Sequence, residues 1–314
     1  DCFTSTIPSL PAALMCGIAG ALALKDRATD LQRQVEAMLA AMRHRGPDDH
    51  GMWQEGPVCL GHLRLSIVDL SSLGHQPMFS PDGRYSLTYN GEIYNYRALR
   101  AELEQAGCQF RGNSDTEVLV NAFERWGLVE TLQRAVGMFA LALWDKKTST
   151  LHLARDRAGE KPLYFGAIDN VLLFASELKA LVAAAGHRPA IDRGALALYM
   201  KYNYVPGNET IYAGITKVEP GTFVSITPSG ETTHTTWWSM DALDGRLDPP
   251  LDDADAISRF DVLLRKAISE QMVADVPLGA FLSGGIDSSL VVAYMQLLSS
   301  IPVKTFSIGF EEEA

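Results

Sequence analysis

The sequence predicts a protein in two parts: an α+β sandwich of four layers, αββα, followed by the α/β start of a parallel sheet. Three observations predict it. Strand-like apolar runs fall into two groups with two amphipathic helices between them, a pattern that two sheets sandwiched between helices would satisfy. A polar stretch with two prolines, "LDGRLDPPLDDAD", then separates this region from the rest. Beyond it come a strand, a glycine-rich loop, a helix and another strand, the order of a βαβ unit.

The elements follow in order. "CGIAGALAL" reads as a buried strand. "DLQRQVEAMLAAMR" carries Leu31, Val35, Met38, Leu39 and Met42 at helical spacing. "HRGPDDHG" is a loop by its Gly, Pro and Asp content, and "VCLGHLRLSIVD" alternates like a strand. "YSLTYNGEIYN" reads as a strand running into an Asn-Gly turn. "YRALRAELEQAG" is a helix stopped by Gly107. "SDTEVLVNAFERWG" opens on a Ser114 cap with Glu117 three residues on, and closes on Gly127. "GMFALALWD", "TLHLARD" and "VLLFASE" are three more strands, "DRGALALYMKYNYVPG" is a short helix, and "GTFVSITPSGETTHTTWW" is a hairpin around Ser229-Gly230. After the linker, "DAISRFDVLLRKAISEQMV" is an amphipathic helix; then come "LGAFL" (strand), "SGGIDSS" (loop), "LVVAYMQLLSS" (helix) and "VKTFSIGF" (strand).

Composition narrows the function. The 314 residues are 47% hydrophobic and 21% charged, with a net charge of −11. Such an acidic chain disfavours nucleic acid and anionic membranes as partners. No apolar run reaches the ~18–20 residues that cross a bilayer. Cys2, Cys16, Cys59 and Cys108 form no zinc spacing and read as reduced thiols of a cytoplasmic protein. The scattered histidines, His44 and His50 included, give no metal motif, so no metal site is expected.

The loop Ser283-Gly284-Gly285-Ile286-Asp287-Ser288-Ser289 lies between a strand and a helix. Glycines permit close backbone approach, and helix-start N–H groups with serine hydroxyls suit a phosphate. Lacking the lysine, it is not a Walker A loop. In this context it resembles the pyrophosphate loop of the N-type ATP pyrophosphatases. The resemblance implies that Ser283, Gly284, Gly285, Asp287 and Ser288 hold ATP phosphates, with Mg2+ accompanying the nucleotide. It also implies that Leu282 and Ile308 contact adenine. No tightly bound cofactor is expected.

"ALMCGIAG" poses the second chemical question. A cysteine nucleophile needs a base, and no histidine stands in a telling position. The cysteine's own α-amine, with a pKa of ~7.7–8.0, would serve if Met15 were removed and Cys16 became residue one. "CGIAG", "RHRGPDDHG", "HLRLSIVDL", "YNGEIYNY", "SDTEV" and "ARDRAGEKPLYFG" together resemble the class II glutamine amidotransferase domain, an N-terminal-nucleophile hydrolase. With SGGIDSS, the whole resembles the glutamine-hydrolysing asparagine synthetase family. The resemblance implies that Cys16 attacks the glutamine amide and that Asn90 and Gly91 form the oxyanion hole. It further implies that Arg64 holds the glutamine α-carboxylate, that Glu92 and Asp115 accept its α-ammonium, and that Ile67 and Val68 use backbone groups. The loop at Arg45-Gly46-Pro47-Asp48 resembles a flap closing over glutamine.

The expected organisation is a non-native or removable N-terminal extension at 1–15, whether a mis-called start, a propeptide or a tail, and an N-terminal-nucleophile sandwich at 16–203. A connecting hairpin and linker at 204–250 and the truncated start of an ATP-pyrophosphatase domain at 251–314 complete it. The expected function is ATP-dependent amide formation with ammonia from glutamine. Aspartate would become asparagine through a β-aspartyl-adenylate, and another carboxylate, such as a sugar acid of a surface polysaccharide, is the alternative acceptor. As given, the chain is expected to be a glutaminase at most. Expected partners are glutamine, ATP, the carboxylate acceptor and, as an assembly, a homodimer. Two other readings use the same residues. Glucosamine-phosphate synthase and phosphoribosyl-pyrophosphate amidotransferase share the glutaminase domain, but neither needs SGGIDSS. A non-catalytic glutamine-binding module would result if the extension stayed on Cys16.

Overall fold

The computed structural model describes residues 15–25, 30–242 and 251–309. The expected extension, up to residue 14, and most of the expected linker, 243–250, lie outside the described residues. The chain divides into two compact units, one of residues 1–66 and 71–240, the other of residues 67–70 and 241–314.

The first unit runs β1 (Gly17–Ala23), α1 (Leu31–Ala41), β2 (Asp49–Glu55), β3 (Val58–Arg64), β4 (Met78–Phe79), β5 (Tyr85–Ile93), α2 (Tyr96–Gln105) and α3 (Asp115–Arg134). It continues through β6 (Gly137–Asp145), β7 (Thr150–Arg155), β8 (Tyr164–Ile168), β9 (Val171–Ala175), α4 (Leu178–Ala185), α5 (Arg193–Tyr202), β10 (Ile215–Lys217), β11 (Thr222–Ile226) and β12 (Thr232–Thr236). Two six-stranded sheets result, in the orders β10-β8-β9-β1-β3-β2 and β12-β11-β7-β6-β5-β4. Neighbouring strands in both sheets run antiparallel.

The strand period of two assigns each side chain to a layer. On β1, Ile18 and Leu22 join the core between the sheets, with Leu60, Leu153 and Phe174. Ala19, Ala21 and Ala23 face the other way, onto Val35 and Met38 of α1 and Leu181 of α4. On the second sheet α3 lies against β4 and β5, and α2 lies against α3. The four expected layers are therefore present.

Three expectations need revision. The connector expected at 204–250 is in part structural: β10 joins the first sheet and β11 and β12 the second, so the first unit extends to residue 240. Asn90-Gly91 is no turn. β5 continues through both residues, pairing Asn90 with Ala140 and Gly91 with Phe139. Glycine is required at 91 by close approach, because a Cβ there would lie 2.2 Å from the Met138 carbonyl oxygen. The loop "HRGPDDHG" ends earlier than expected, since β2 begins at Asp49. Gly127 does interrupt its helix: α3 is two helical segments meeting there, at φ 77°.

The second unit holds α6 (Asp253–Gln271), β13 (Gly279–Phe281), α7 (Ile286–Leu298) and β14 (Lys304–Phe306), with β13 and β14 parallel. This is the expected βαβ unit. Among the described residues no helix is long and apolar enough to cross a membrane.

Candidate active site

Cys16 stands immediately before β1, at the mouth of the first sheet. Its thiol is half-buried and free. Sγ accepts the Leu65 N–H at 3.3 Å and lies 3.5 Å from the Leu65 carbonyl oxygen. Burial pushes the thiol pKa up, the Leu65 hydrogen bond pulls it down, the Asp115 charge raises it, and Arg64 and Arg45 lower it. As it stands the thiol favours its protonated form, so a base has work to do.

Arg45 fixes the cysteine from behind. Its guanidinium is buried; Nε donates to the Cys16 carbonyl at 2.9 Å and Nη1 to Glu177 at 3.1 Å. The Arg45 carbonyl accepts the Met15 N–H at 3.1 Å. Gly46 lets this loop press on β3, for a Cβ there would sit 2.3 Å from the Leu63 carbonyl carbon. The first half of the expected flap is thus an anchor, and only Pro47 and Asp48 are exposed. His44 also reaches Glu177, at 3.0 Å.

The oxyanion-hole candidate Asn90 is 2% exposed, and its Nδ2 has no hydrogen-bond partner among the described residues. A buried amide donor left unpaired costs roughly 1–3 kcal/mol, a cost that a ligand oxygen would remove. Gly91 and Glu92 follow it on β5. Arg64, at the end of β3, is buried and donates from Nη1 to the Ser71 carbonyl at 2.8 Å. Gly74 makes room for it, since a Cβ there would lie 2.0 Å from Nη2.

Asp115 is the first residue of α3, after the Ser114 cap. Its buried carboxylate accepts the Tyr89 hydroxyl at 2.8 Å and the Ile93 N–H at 3.0 Å. Burial raises its pKa, and these hydrogen bonds oppose the rise. Glu92 is also raised, by burial and by Asp115, and Lys161 opposes the rise. Cys16, Arg45, Arg64, Glu92, Asp115 and Lys161 therefore share one electrostatic neighbourhood. Ile67 and Val68 fall in the segment 67–70 that groups with the second unit, where the Ile67 carbonyl accepts the Asp275 N–H at 2.9 Å.

Sequence reasoning missed Leu65, Tyr89, Glu177 and Lys161. Leu65 and Lys161 stand inside quoted motifs, and their closeness to residues 15 and 16 arises only on folding.

In the second unit the nucleotide candidates surround one loop. Gly284 has φ 82°, a conformation reserved for glycine, and Gly285 caps α7. Ser283 Oγ lies 3.0 Å from Ser288 Oγ, and Ser288 Oγ donates to the Gly285 carbonyl at 3.1 Å. Leu282 donates its N–H to the Phe306 carbonyl at 2.8 Å, and its own carbonyl accepts the Ser307 hydroxyl at 2.6 Å. Asp287 lies in the first turn of α7, and Ile308 is 79% exposed.

The layered sandwich, with a cysteine at the start of its first strand, defines the class: an amidotransferase fold of the N-terminal-nucleophile type. Glutamine phosphoribosylpyrophosphate amidotransferase from Bacillus subtilis aligns with a TM-score of 0.55 at 19% identity, over 93% of this chain and 65% of that one. Residues 15–238 match the glutamine amidotransferase domain family, and the chain belongs to it. Residues 259–314 match the asparagine synthase family. Asparagine synthetase [glutamine-hydrolyzing] 1 of Bacillus subtilis is 37% identical over 302 residues, 95% of this chain and 46% of that protein. A putative asparagine synthetase [glutamine-hydrolyzing] of Mycobacterium bovis is 38% identical over 95% of this chain and 48% of its own length. The chain spans about half the length of these relatives.

Proposed function

We propose that this chain carries the glutaminase half of a glutamine-hydrolysing, ATP-dependent amide-forming enzyme. The observation that supports it most directly is the buried Nδ2 of Asn90, which has no hydrogen-bond partner among the described residues. Cys16 Sγ attacks the glutamine side-chain carbonyl and its proton passes to the Cys16 α-amine, free once Met15 is removed. Asn90 Nδ2 and the Gly91 N–H stabilise the tetrahedral oxyanion. The amine returns the proton to the departing nitrogen, ammonia leaves, and water hydrolyses the thioester to glutamate. Arg64 holds the substrate carboxylate, Asp115 and Glu92 its ammonium.

In the complete enzyme the ammonia would meet a carboxylate activated by ATP. The relatives' names favour aspartate as acceptor and asparagine as product. Ser283, Gly284, Gly285, Asp287 and Ser288 would hold the nucleotide's phosphates, with Mg2+ bound to the nucleotide. Leu282 and Ile308 would line adenine.

The test is glutamate release from glutamine by protein expressed from Met15, with intact mass showing whether Cys16 is residue one. Cys16→Ala is expected to lose activity by roughly a thousandfold or more, and Asn90→Ala by ~10²–10³ in turnover. The same chain given ATP, aspartate and glutamine is expected to make no asparagine. A protein that starts at Cys16, binds glutamine and releases no glutamate would overturn the reading. It would favour a binding module instead.

A further inference from the structure

Lys161 is a buried cation that the mechanism above leaves unused. Its backbone is held rigidly. The fully buried Asp156 carboxylate accepts N–H groups from Phe139 (3.0 Å), Ala158 (3.0 Å), Glu160 (2.9 Å) and Lys161 itself (3.1 Å). Arg155 spans the other side of the loop, donating to the carbonyls of Lys161 at 2.7 Å, Val218 at 2.9 Å and Gly159. From this support the Lys161 side chain, 7% exposed, runs inward. Its ammonium donates to Met15 Sδ at 3.2 Å, its one hydrogen bond among the described residues. A thioether is a weak acceptor, and a buried cation so poorly paired is costly unless its charge serves something.

We propose that Lys161 is a positioning residue for the nucleophile: with Cys16 as residue one, the ammonium now resting on the Met15 side chain faces the Cys16 α-amino group and holds that amine as the free base. This rests on the reading that Cys16 works through its own amine. A neighbouring positive charge disfavours a second ammonium and lowers the amine's pKa. An ordinary α-amine, at ~7.7–8.0, is mostly protonated at pH 7, so only a minor fraction of it is free to take the thiol proton. Lys161 itself neither gains nor loses a proton in the step. Arg45, from the loop after α1, adds positive charge, as does Arg64 from β3. Glu92 on β5, Glu160 beside Lys161 and Asp115 on α3 oppose them. Bound substrate would offset the first and last of these acids with its own ammonium. Burial lowers the Lys161 pKa, while Glu92 and Glu160 act to keep it charged.

The experiment is the pH profile of glutaminase kcat/KM for protein verified by mass to begin at Cys16. Lys161→Met removes the charge at similar length, and Lys161→Arg keeps it. K161M is expected to move the acid limb upward by about half a unit to one unit, with activity recovering at high pH, while K161R keeps the wild-type limb. The midpoint of Cys16 alkylation by iodoacetamide, which needs no turnover, should move the same way. Lys161→Gln replaces K161M should the latter not fold. An unmoved limb in the charge-removing variant, or a loss equal at every pH, overturns the proposal. A wild-type protein starting at Cys16 without glutaminase overturns the reading beneath it, before any variant is compared.

Discussion

The two units differ in how far their apolar side chains are buried among the described residues. In the first, β1 and β3 are buried along their whole lengths, on both faces, by material from the same unit. In the second, α6 buries Ile268 and α7 buries Met295, while Ile257, Phe260, Leu263, Phe281 and Ile286 remain exposed. A parallel βαβ unit expects cover on both faces of its sheet, and its sequence is apolar accordingly. Here that cover is absent among the described residues. The antiparallel sandwich carries its own core, and the candidates Cys16, Arg64, Asn90, Gly91, Glu92 and Asp115 belong to it. The candidate nucleotide loop sits on a unit in which many apolar side chains are exposed among the described residues. Most of the glutamine-site candidates and the nucleotide-site candidates thus differ in what supports them, although both sets came from motifs of similar clarity.

The largest expected effect follows from the inter-sheet core. Phe174 is fully buried there, and its ring fills the place a Cβ on Gly20 would take, 2.3 Å away. Phe174→Ala should destabilise the first unit by about 3–5 kcal/mol. All five tryptophans, Trp53, Trp126, Trp144, Trp237 and Trp238, belong to the first unit. Urea unfolding followed by tryptophan fluorescence therefore reports this unit alone. A change below about 1 kcal/mol would mean that the two sheets are not packed through this ring.

A smaller effect, again confined to the first unit, comes from one buried and one half-buried histidine. His62 lies between the sheets, its Nε2 3.0 Å from the Tyr89 carbonyl, and burial lowers its pKa to about 3. Burial lowers His152 to about 4. Both folded values lie below the ordinary ~6.5, so the unfolded chain binds more protons in between. Stability is therefore full above pH ~6.5 and falls as the pH drops toward 4, by up to about 1.4 kcal/mol per pH unit for each group. The urea midpoint at pH 5 should be below that at pH 7.5, and His62→Gln should flatten the difference. All seven histidines lie in the first unit, so this loss should be absent from the second.

How much of this was legible in the sequence depends on burial too. β1, β6, β7 and β9 are central, buried and apolar, and their runs were readable. β2, β4 and β10 lie at or beside sheet edges, where half the pattern is polar or the strand only two or three residues long. Periodicity is weakest there. The α3 start was legible, since Ser114 Oγ accepts the Glu117 N–H at 3.2 Å. Glu117, however, turns its carboxylate to the N–H groups of Arg111 and Gly112, at 2.7 and 2.8 Å, so the capping box is not closed. At the site, residue types such as Cys16, Arg64, Asn90 and Asp115 were nameable from motifs. Their supports were not, because Arg45 reaches Cys16 across 29 residues, Glu177 reaches Arg45 across 132, and Lys161 reaches Met15 across 146. Local patterns carry no record of such contacts.

The smallest expected effect tests the other side of the comparison. Ile257 on α6 is 68% exposed, so Ile257→Ala removes little buried surface and places a better helix former on the helix. Its effect on stability should stay within about 0.5 kcal/mol. The second unit contains no tryptophan, so the loss of helix signal in far-ultraviolet circular dichroism is the probe, compared with fluorescence from the first unit. Two separate transitions, with the helix signal beginning to fall before the fluorescence changes, would agree with the lower burial of apolar side chains among the described residues of the second unit. An Ile257→Ala loss above 1 kcal/mol would instead mean that this face of α6 is buried in solution, and the contrast between the units would then rest on α7 and the sheet alone.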